Sequence, residues 1–493
     1  MRIRVTSNDL SKARADVAVC FAHEGDRAPL GLADAGLRNE LGRQMKAVGF
    51  RGGVGDRLSW SSNGKYATPR FLVLGLGPDR GRQTQALRAG VARAARQAAR
   101  VRAKRLAIAV PGLTGESSAA QARAAVEGVK LGNYRFEKYI HDTDRKHATL
   151  LAVELCGPSR PASARSAVRR AEISADAVCF ARDLVNEAPS RMTPSVMARA
   201  AARQAKRYGM RCKVLGKAEL SRLGMRALLN VSRGSTEPPK VVHLVCKPKA
   251  KARKKVVLVG KGVTFDSGGL NLKPTSGMLT MKADMAGAAA VLSAMTSIAQ
   301  TGCRAEVHGL LGLVENMTGG DAYKPGDILD TYAGKTVEVG NTDAEGRLVM
   351  CDLLAWAAAK LKPDCMVDVA TLTGAVVVAL GTEITGLFTR DEKMRDGLLT
   401  AAGDAGEKIW QLPLPDEYLA LLQHGPADLH NVGGRWGGAI TAALFLGEFV
   451  PRELPWAHLD IAGPAFAETA APERDAGATG AGTATLIRWL ESL

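Results

Sequence analysis

Four carboxylates and two lysines in two short regions hold the chemistry open to this sequence. The stretch Asn341-Thr342-Asp343-Ala344-Glu345-Gly346-Arg347-Leu348 sets two acids and a guanidinium at alternate positions ahead of an apolar run. In an extended or loop backbone, residues two apart point the same way, so Asp343, Glu345 and Arg347 can share one face, and such a face can hold cations. The simpler reading is a polar turn followed by a capped helix, since Asp and Glu favour helix N-termini. A second polar cluster upstream shifts the balance. It runs from Lys261-Gly262-Val263-Thr264-Phe265-Asp266-Ser267-Gly268-Gly269 through Lys273 to Lys282-Ala283-Asp284-Met285.

Asp266, Asp284, Asp343 and Glu345 cannot be gathered as bare anions, because mutual repulsion raises their pKa values. Divalent cations relieve that repulsion. Four acids suit two metals sharing bridging carboxylates, with a water between them, the arrangement that attacks carbonyl or phosphoryl centres. Zinc and manganese both fit such ligands. Lys261 and Lys273 lie inside the acid-rich set, where they can form plain salt bridges or, functionally, polarise a substrate oxygen and stabilise an oxyanion. Arg347 can hold an anion through two parallel hydrogen bonds.

These residues need elements to position them. Val256 to Gly260 is a buried strand candidate, and the Gly-rich polar run after it reads as a loop as far as Asp284. Functional groups commonly sit beyond strand ends in open α/β sheets. Met285 to Ala299 reads as a small-residue helix suited to close packing, and Glu306 to Val314 as a strand. Val349 to Leu361 is helical in pattern and Met366 to Ala370 extended, with Thr371 to Gly374 a tight turn. Gly433 to Gly438 precedes a helix through Phe449, and Trp456 to Gly463 is strand then loop. Ala227 to Ser232 and Val241 to Cys246 are two further strand candidates.

Upstream, strand candidates at Val17 to Phe21, Phe71 to Gly77, Leu106 to Val110 and Thr149 to Leu155 alternate with helical stretches. That alternation implies an α/β domain. The Gly75-x-Gly77 turn lacks the spacing and the acidic partner of a dinucleotide site, and a tight strand-to-helix turn is the preferred reading. With 493 residues, two domains are expected. The fold class is thus α/β: a smaller N-terminal domain over residues 1–160, a connecting helix over 161–181, and a larger catalytic domain over 182–493 with a mixed sheet flanked by helices.

Composition is that of a soluble globular chain, 46% hydrophobic and 24% charged. No apolar run is long enough to span a bilayer and the first ten residues lack a signal core, so a cytoplasmic protein without membrane contact is expected. The eight cysteines form no C-x-x-C pair and no H-E-x-x-H occurs, so oxygen ligands must dominate any metal site. The net charge of +18 divides into +30 for residues 1–255 and −12 for the remainder. The basic half is a solvated surface or, alternatively, a DNA-binding face.

The three segments from Val259 to Gly269, Met281 to Met285 and Asn341 to Leu348 resemble the signature segments of the leucine aminopeptidases, also called cytosol aminopeptidases. The resemblance extends over roughly residues 180–465, including Asp183 to Glu187, Asp368 to Gly374 and Gly433 to Thr441. It implies a metal-dependent aminopeptidase, a hydrolase that removes leucine and other apolar residues from the unblocked N-termini of peptides in intracellular peptide turnover. By that resemblance, Lys261, Asp266, Asp284 and Glu345 would hold one metal ion and Asp266, Asp343 and Glu345 the other, as manganese or zinc. Lys273 would polarise the scissile carbonyl, and a bicarbonate held by Arg347 would act as general base. The side-chain pocket would involve Met281, Thr371, Leu372, Gly374, Ala462 and Ala465, for which core packing is the competing role. A homohexamer with sites facing an inner cavity is also implied. Ala286 and Thr318 stand where the family commonly has other small residues and proline.

Overall fold

The computed structural model describes residues 1–144 and 146–493, together with the backbone of residue 145. It divides into two compact units, residues 1–176 with 469–476, and residues 177–468 with 477–493.

In the first unit the strands are β1 (Arg2–Thr6), β2 (Val17–Ala22), β3 (Arg57–Ser61), β4 (Arg70–Gly75), β5 (Arg105–Ala109) and β6 (Ala152–Cys156). They order as β1-β6-β5-β2-β4-β3, parallel throughout except for the edge strand β3. Helices α1 (Ala35–Ala47), α2 (Gln83–Arg100) and α3 (Ser118–Asn133) cover the sheet. Leu37, Leu41 and Met45 of α1 fill one core, while Leu87 and Val91 of α2 join Val126 and Val129 of α3 in the other. Their i, i+3 and i, i+4 spacing is what gives each helix its apolar face. Parallel pairing requires such crossover helices, which is why the sheet is buried on both sides.

Helix α4 (Pro161–Asn186) carries the chain onward, and α5 (Pro194–Tyr208) follows. The helix runs to Asn186, and the compact units part within it, at 176/177.

The second unit is built on an eight-stranded mixed sheet. Its strands are β7 (Arg211–Leu215), β8 (Lys240–Cys246), β9 (Lys255–Asp266), β10 (Glu306–Asn316), β13 (Cys365–Ala370), β14 (Ile384–Thr389), β15 (Lys408–Gln411) and β17 (Trp456–Asp460), in the order β15-β14-β17-β13-β9-β10-β8-β7. A small sheet joins β11 (Ile328–Asp330), β12 (Thr336–Glu338) and β16 (Leu429–His430), and β18 (Phe466–Ala467) pairs with β19 (Gly477–Ala478). The four central strands β17, β13, β9 and β10 are mutually parallel, so their C-terminal ends and outgoing loops gather on one edge. The helices are α6 (Lys217–Leu223), α7 (Arg226–Val231), α8 (Thr275–Met278), α9 (Ala286–Thr301), α10 (Gly346–Trp356), α11 (Gly374–Leu380), α12 (Glu392–Ala405), α13 (Gly438–Gly447) and α14 (Thr483–Ser492). Side chains of α5, α9, α12 and α14 build the core on one face of the sheet, those of α7, α10 and α13 the core on the other. Among the described residues no helix is long and apolar enough to cross a membrane.

Two elements correct the sequence reading. Ala227 to Ser232 is not a strand but helix α7 with a tight turn after it. Ala227, Leu228 and Val231 are buried on one helical face, and Asp352 accepts the N–H of Leu228 at 3.0 Å near the helix start. The strand beginning at Val256 does not stop at Gly260; it continues to Asp266 because β10 supplies hydrogen-bonding partners that far. Lys261 and Asp266 therefore stand on a strand, not on a loop. The small-residue helix α9 lies tightly against that strand and its neighbour β13: a Cβ on Gly260 would sit 2.6 Å from Ala288 Cα, and one on Gly287 2.0 Å from the Val369 carbonyl oxygen.

Candidate metal centre

Lys261 and Asp266 are five residues apart, so in a regular strand they would face opposite sides of the sheet. The strand is not regular. Val263 pairs with Val314 and Phe265 with Glu315, leaving Thr264 as an extra residue. A bulge of one residue reverses the alternation, which returns Asp266 to the side of Lys261. The loop that follows folds back so that the Lys273 N–H reaches the Ser267 carbonyl at 2.9 Å. Lys273 Nζ then lies 2.9 Å from Asp266 Oδ2 and also pairs with Asp343.

Asp284 enters at the end of the turn Met281–Ala283, just ahead of α9. Lys261 Nζ stands 2.7 Å from Asp284 Oδ1 and 2.8 Å from Glu345 Oε1, and donates to the Thr371 carbonyl at 2.8 Å. Thr371 Oγ1 donates to Asp284 Oδ1 at 2.8 Å. The absent side chain of Gly346 makes room for the lysine, since a Cβ there would meet Lys261 Cε at 2.6 Å.

Oxygen atoms of Asp266, Asp343 and Glu345 lie within 4.8 Å of one another, a spacing that fits a metal ion. Lys261, Asp266, Asp284 and Glu345 are all at most 5% exposed. Among the described residues the buried Asp284 Oδ2 has no hydrogen-bond partner. An acidic cluster with an unmet buried acceptor is the donor set expected of a hard or borderline cation. Burial, and then the charge of Glu345, raise the Asp266 carboxyl; burial lifts Asp284 well above the usual range; burial and Asp266 raise Asp343. Burial works to lower Lys261 and Lys273, but the surrounding carboxylates outweigh it and hold both above the ordinary lysine value. The chain's own two ammonium groups thus partly neutralise the cluster.

The Asn341-to-Leu348 stretch combines both sequence readings. It turns through Asp343 and begins helix α10 at Gly346, with Glu345 already at helical angles (φ −77°, ψ −35°) and its carboxylate turned to Lys261. The extended face shared by Asp343, Glu345 and Arg347 does not form, because Arg347 lies in the first turn of a helix. Arg347 is buried, which pushes its guanidinium down to about 10, and its NH1 donates to the Asn431 carbonyl at 2.7 Å.

Met281 and Leu372 are half-buried, as is Ala462, while Gly374 is exposed at the start of α11 and Ala465 is buried in the core. Of these proposed pocket residues and Thr371, only Thr371 has hydrogen bonds to the cluster; Leu372 and Ala462 are tied instead to Asp460.

Two asparagines that sequence reading missed hold the cluster together. Asn316 Nδ2, at the end of β10, lies 2.8 Å from Asp266 Oδ1 and 3.0 Å from the Thr342 carbonyl. Asn431, fully buried, accepts the N–H groups of Gly340 (2.7 Å) and Asn341 (3.2 Å) at Oδ1 and donates from Nδ2 to the Asn341 carbonyl at 2.7 Å. It thereby ties the acidic turn while its own carbonyl receives Arg347. Position just ahead of the Gly433-Gly434 run was the only signal for Asn431, and composition around it says nothing of a partner 90 residues away.

Residues 179–487 match the cytosol aminopeptidase family, catalytic domain, and residues 18–143 match the N-terminal domain of the same family. A probable cytosol aminopeptidase of Aquifex aeolicus is 38% identical over 491 residues, covering 99% of this chain and 98% of that protein. Another from Solibacter usitatus is 48% identical over 370 residues, 74% of this chain and 75% of that one. Among solved structures, the bottromycin maturation enzyme BotP in complex with Mn is similar at a TM-score of 0.87 and 38% identity, covering 97% of this chain and 99% of that chain. A mutant of tomato leucine aminopeptidase is similar at a TM-score of 0.89 and 31% identity, covering 100% and 97%.

Proposed function

We propose, from the premise that this chain belongs to the cytosol aminopeptidase family, that its buried carboxylate cluster is where the N-terminal peptide bond is cut. The protein is a metal-dependent aminopeptidase of the leucyl type and binds divalent metal. The observation that supports the assignment of residues is the approach of Asp266, Asp343 and Glu345 oxygens to within 4.8 Å beside the buried Asp284.

In this reading Asp266, Asp284, Asp343 and Glu345, with Lys261 as a neutral amine once the cations displace its proton, would hold two ions, manganese or zinc. When bound, the ions supply Lewis acidity and an activated water at neutral pH. Lys273, only partly buried beside Asp266 and Asp343, donates to the scissile carbonyl oxygen as negative charge develops there. Arg347 would hold a bicarbonate, which when bound would supply a general base. Met281, Thr371, Leu372, Gly374 and Ala462 would line the pocket for an apolar first side chain. Peptides are the substrates, and the reading includes a cytoplasmic homohexamer. The alternative DNA-binding role for the basic front half gains no support from the relatives.

The test is leucine release from an unblocked leucyl peptide and from its N-acetylated twin, after dialysis against chelator and add-back of manganese, zinc or magnesium. Metal-restored cleavage of the free-amine peptide alone is expected. Equal cleavage of both peptides, or none under any metal, would overturn the reading.

A further inference from the structure

Two loops leaving neighbouring strands on one edge of the large sheet meet at a single buried carboxylate. Asp460 ends β17, paired with Ala370 at the end of β13, and is fully buried. Its Oδ1 accepts the N–H of Leu372 and the N–H of Ala462, both at 3.1 Å, and its Oδ2 accepts the hydroxyl of Thr373 at 2.8 Å. Thr373 Oγ1 accepts in turn from the Val376 N–H at 3.0 Å, which fixes the start of α11. Immediately before these residues, Thr371 touches the acidic cluster through both its carbonyl and its hydroxyl.

The strand that bears Asp460 is itself pinned to β13. His458, two residues earlier, has Nδ1 2.6 Å from Asp368 Oδ1, and Trp456 Nε1 donates to Asp368 Oδ2 at 2.7 Å. Side chains two apart on a strand share a face, so Trp456, His458 and Asp460 form one polar row beneath the outgoing loops. A buried carboxylate is costly unless its oxygens are met, and here the bonds that meet them come from both loops assigned above to the substrate pocket.

We propose that Asp460 is a positioning residue that sets the spacing between the Thr371-to-Gly374 wall and the Ala462 wall, and thereby the preference for the first side chain of the peptide. This rests on the aminopeptidase reading of the site. Asp460 belongs to the fold's side of the centre: it shapes the pocket and is not among the residues that would hold the metal ions, though its charge also acts on the buried Arg347.

The test compares Asp460→Asn, Thr373→Val, Thr373→Ser and the Asp460→Asn/Thr373→Val pair in the full chain, measuring metal per chain, kcat and KM on leucyl and alanyl peptides. Asp460→Asn keeps Oδ1 and the side-chain volume but turns the other atom into a donor. With metal content unchanged, its KM for the leucyl peptide is expected to rise about tenfold, and the leucine-to-alanine ratio of kcat/KM to fall roughly fivefold. Thr373→Val reproduces the direction, Thr373→Ser keeps the wild-type ratio, and the double variant is no worse than the poorer single, because the two residues act as one unit. An Asp460→Asn enzyme with unchanged KM and ratio, or one whose activity falls only in step with lost metal, would overturn the proposal while wild-type cleavage still supported the aminopeptidase reading. A wild type that cleaves no unblocked peptide overturns both.

Discussion

Two buried acid sites in the second unit, one at the N-terminal end of helix α10 and one in its middle, differ in how their oxygens are met. At the Asp352 site one carboxylate stands alone, and backbone N–H groups fill it: Leu228 at 3.0 Å on one oxygen, Tyr332 at 2.8 Å on the other. At the Asp266 site several carboxylates crowd together, lysines partly neutralise them, and Asp284 Oδ2 stays unmet among the described residues. An acid fully met by backbone donors staples the fold. A crowded, incompletely met set is held in readiness for a cation, and the fold around it must resist the repulsion.

The largest effects should come from breaking the crowded site. Asp266→Ala removes an acid that the reading assigns to both ions, so turnover should drop to background together with metal content, measured by elemental analysis of the dialysed protein. Lys273→Ala should keep its metal and lose about 10²–10³ in kcat, the loss typical of removing one donor to a developing oxyanion. Equal metal loss in the two variants would end the distinction drawn between a ligand and a polarising group.

How far the sequence revealed each region follows the same division. The acidic cluster was legible because its residues are chemically expensive to bury and fall within short segments: Lys261 with Asp266, and Asp343 with Glu345. Alternating apolar strands with helices also announced two α/β units. Hidden were the features that depend on pairing between distant segments. The bulge at Thr264 exists only because β10 shifts its register, and without it Asp266 would face away from Lys261. Ala227 to Ser232 looked like a strand because a short apolar run has no decisive period. Its helix is settled by Asp352, some 120 residues on. Asn431 is silent in sequence for the same reason.

Asn431 therefore gives an intermediate test of whether the turn's rigidity matters as much as its charges. Asn431→Ala removes bonds to Gly340 and Asn341 but no proposed ligand. Supporting hydrogen bonds of this kind commonly account for about 10–100-fold in metal affinity or activity. A weaker apparent metal affinity, with kcat largely recovered at saturating manganese, is expected from titration of the chelator-treated enzyme. Unchanged affinity would mean that the carboxylates find their places without the turn being held.

The smallest effects belong to the staple. Asp352→Ala leaves buried N–H groups unpaired and should lower stability by about 2 kcal/mol in denaturant unfolding, while kcat of the folded enzyme stays near wild type. The same residue predicts a pH dependence whose sign is fixed by burial. Burial lifts the Asp352 carboxyl from 3.8 to about 7, against which the backbone bonds work only in part. Between those values the unfolded chain has released the proton that the native chain still holds, so the native state binds more protons and its stability falls as pH rises. The contribution is fully present below the unfolded value and gone above about 7. Asp352→Asn, which cannot titrate, should flatten that part of the stability profile between pH 4 and 7 even though it is less stable throughout. A profile identical in shape to wild type would mean that the backbone donors hold Asp352 ionised, making it a charged staple instead of a neutral one, and the contrast with the crowded site would then rest on geometry alone.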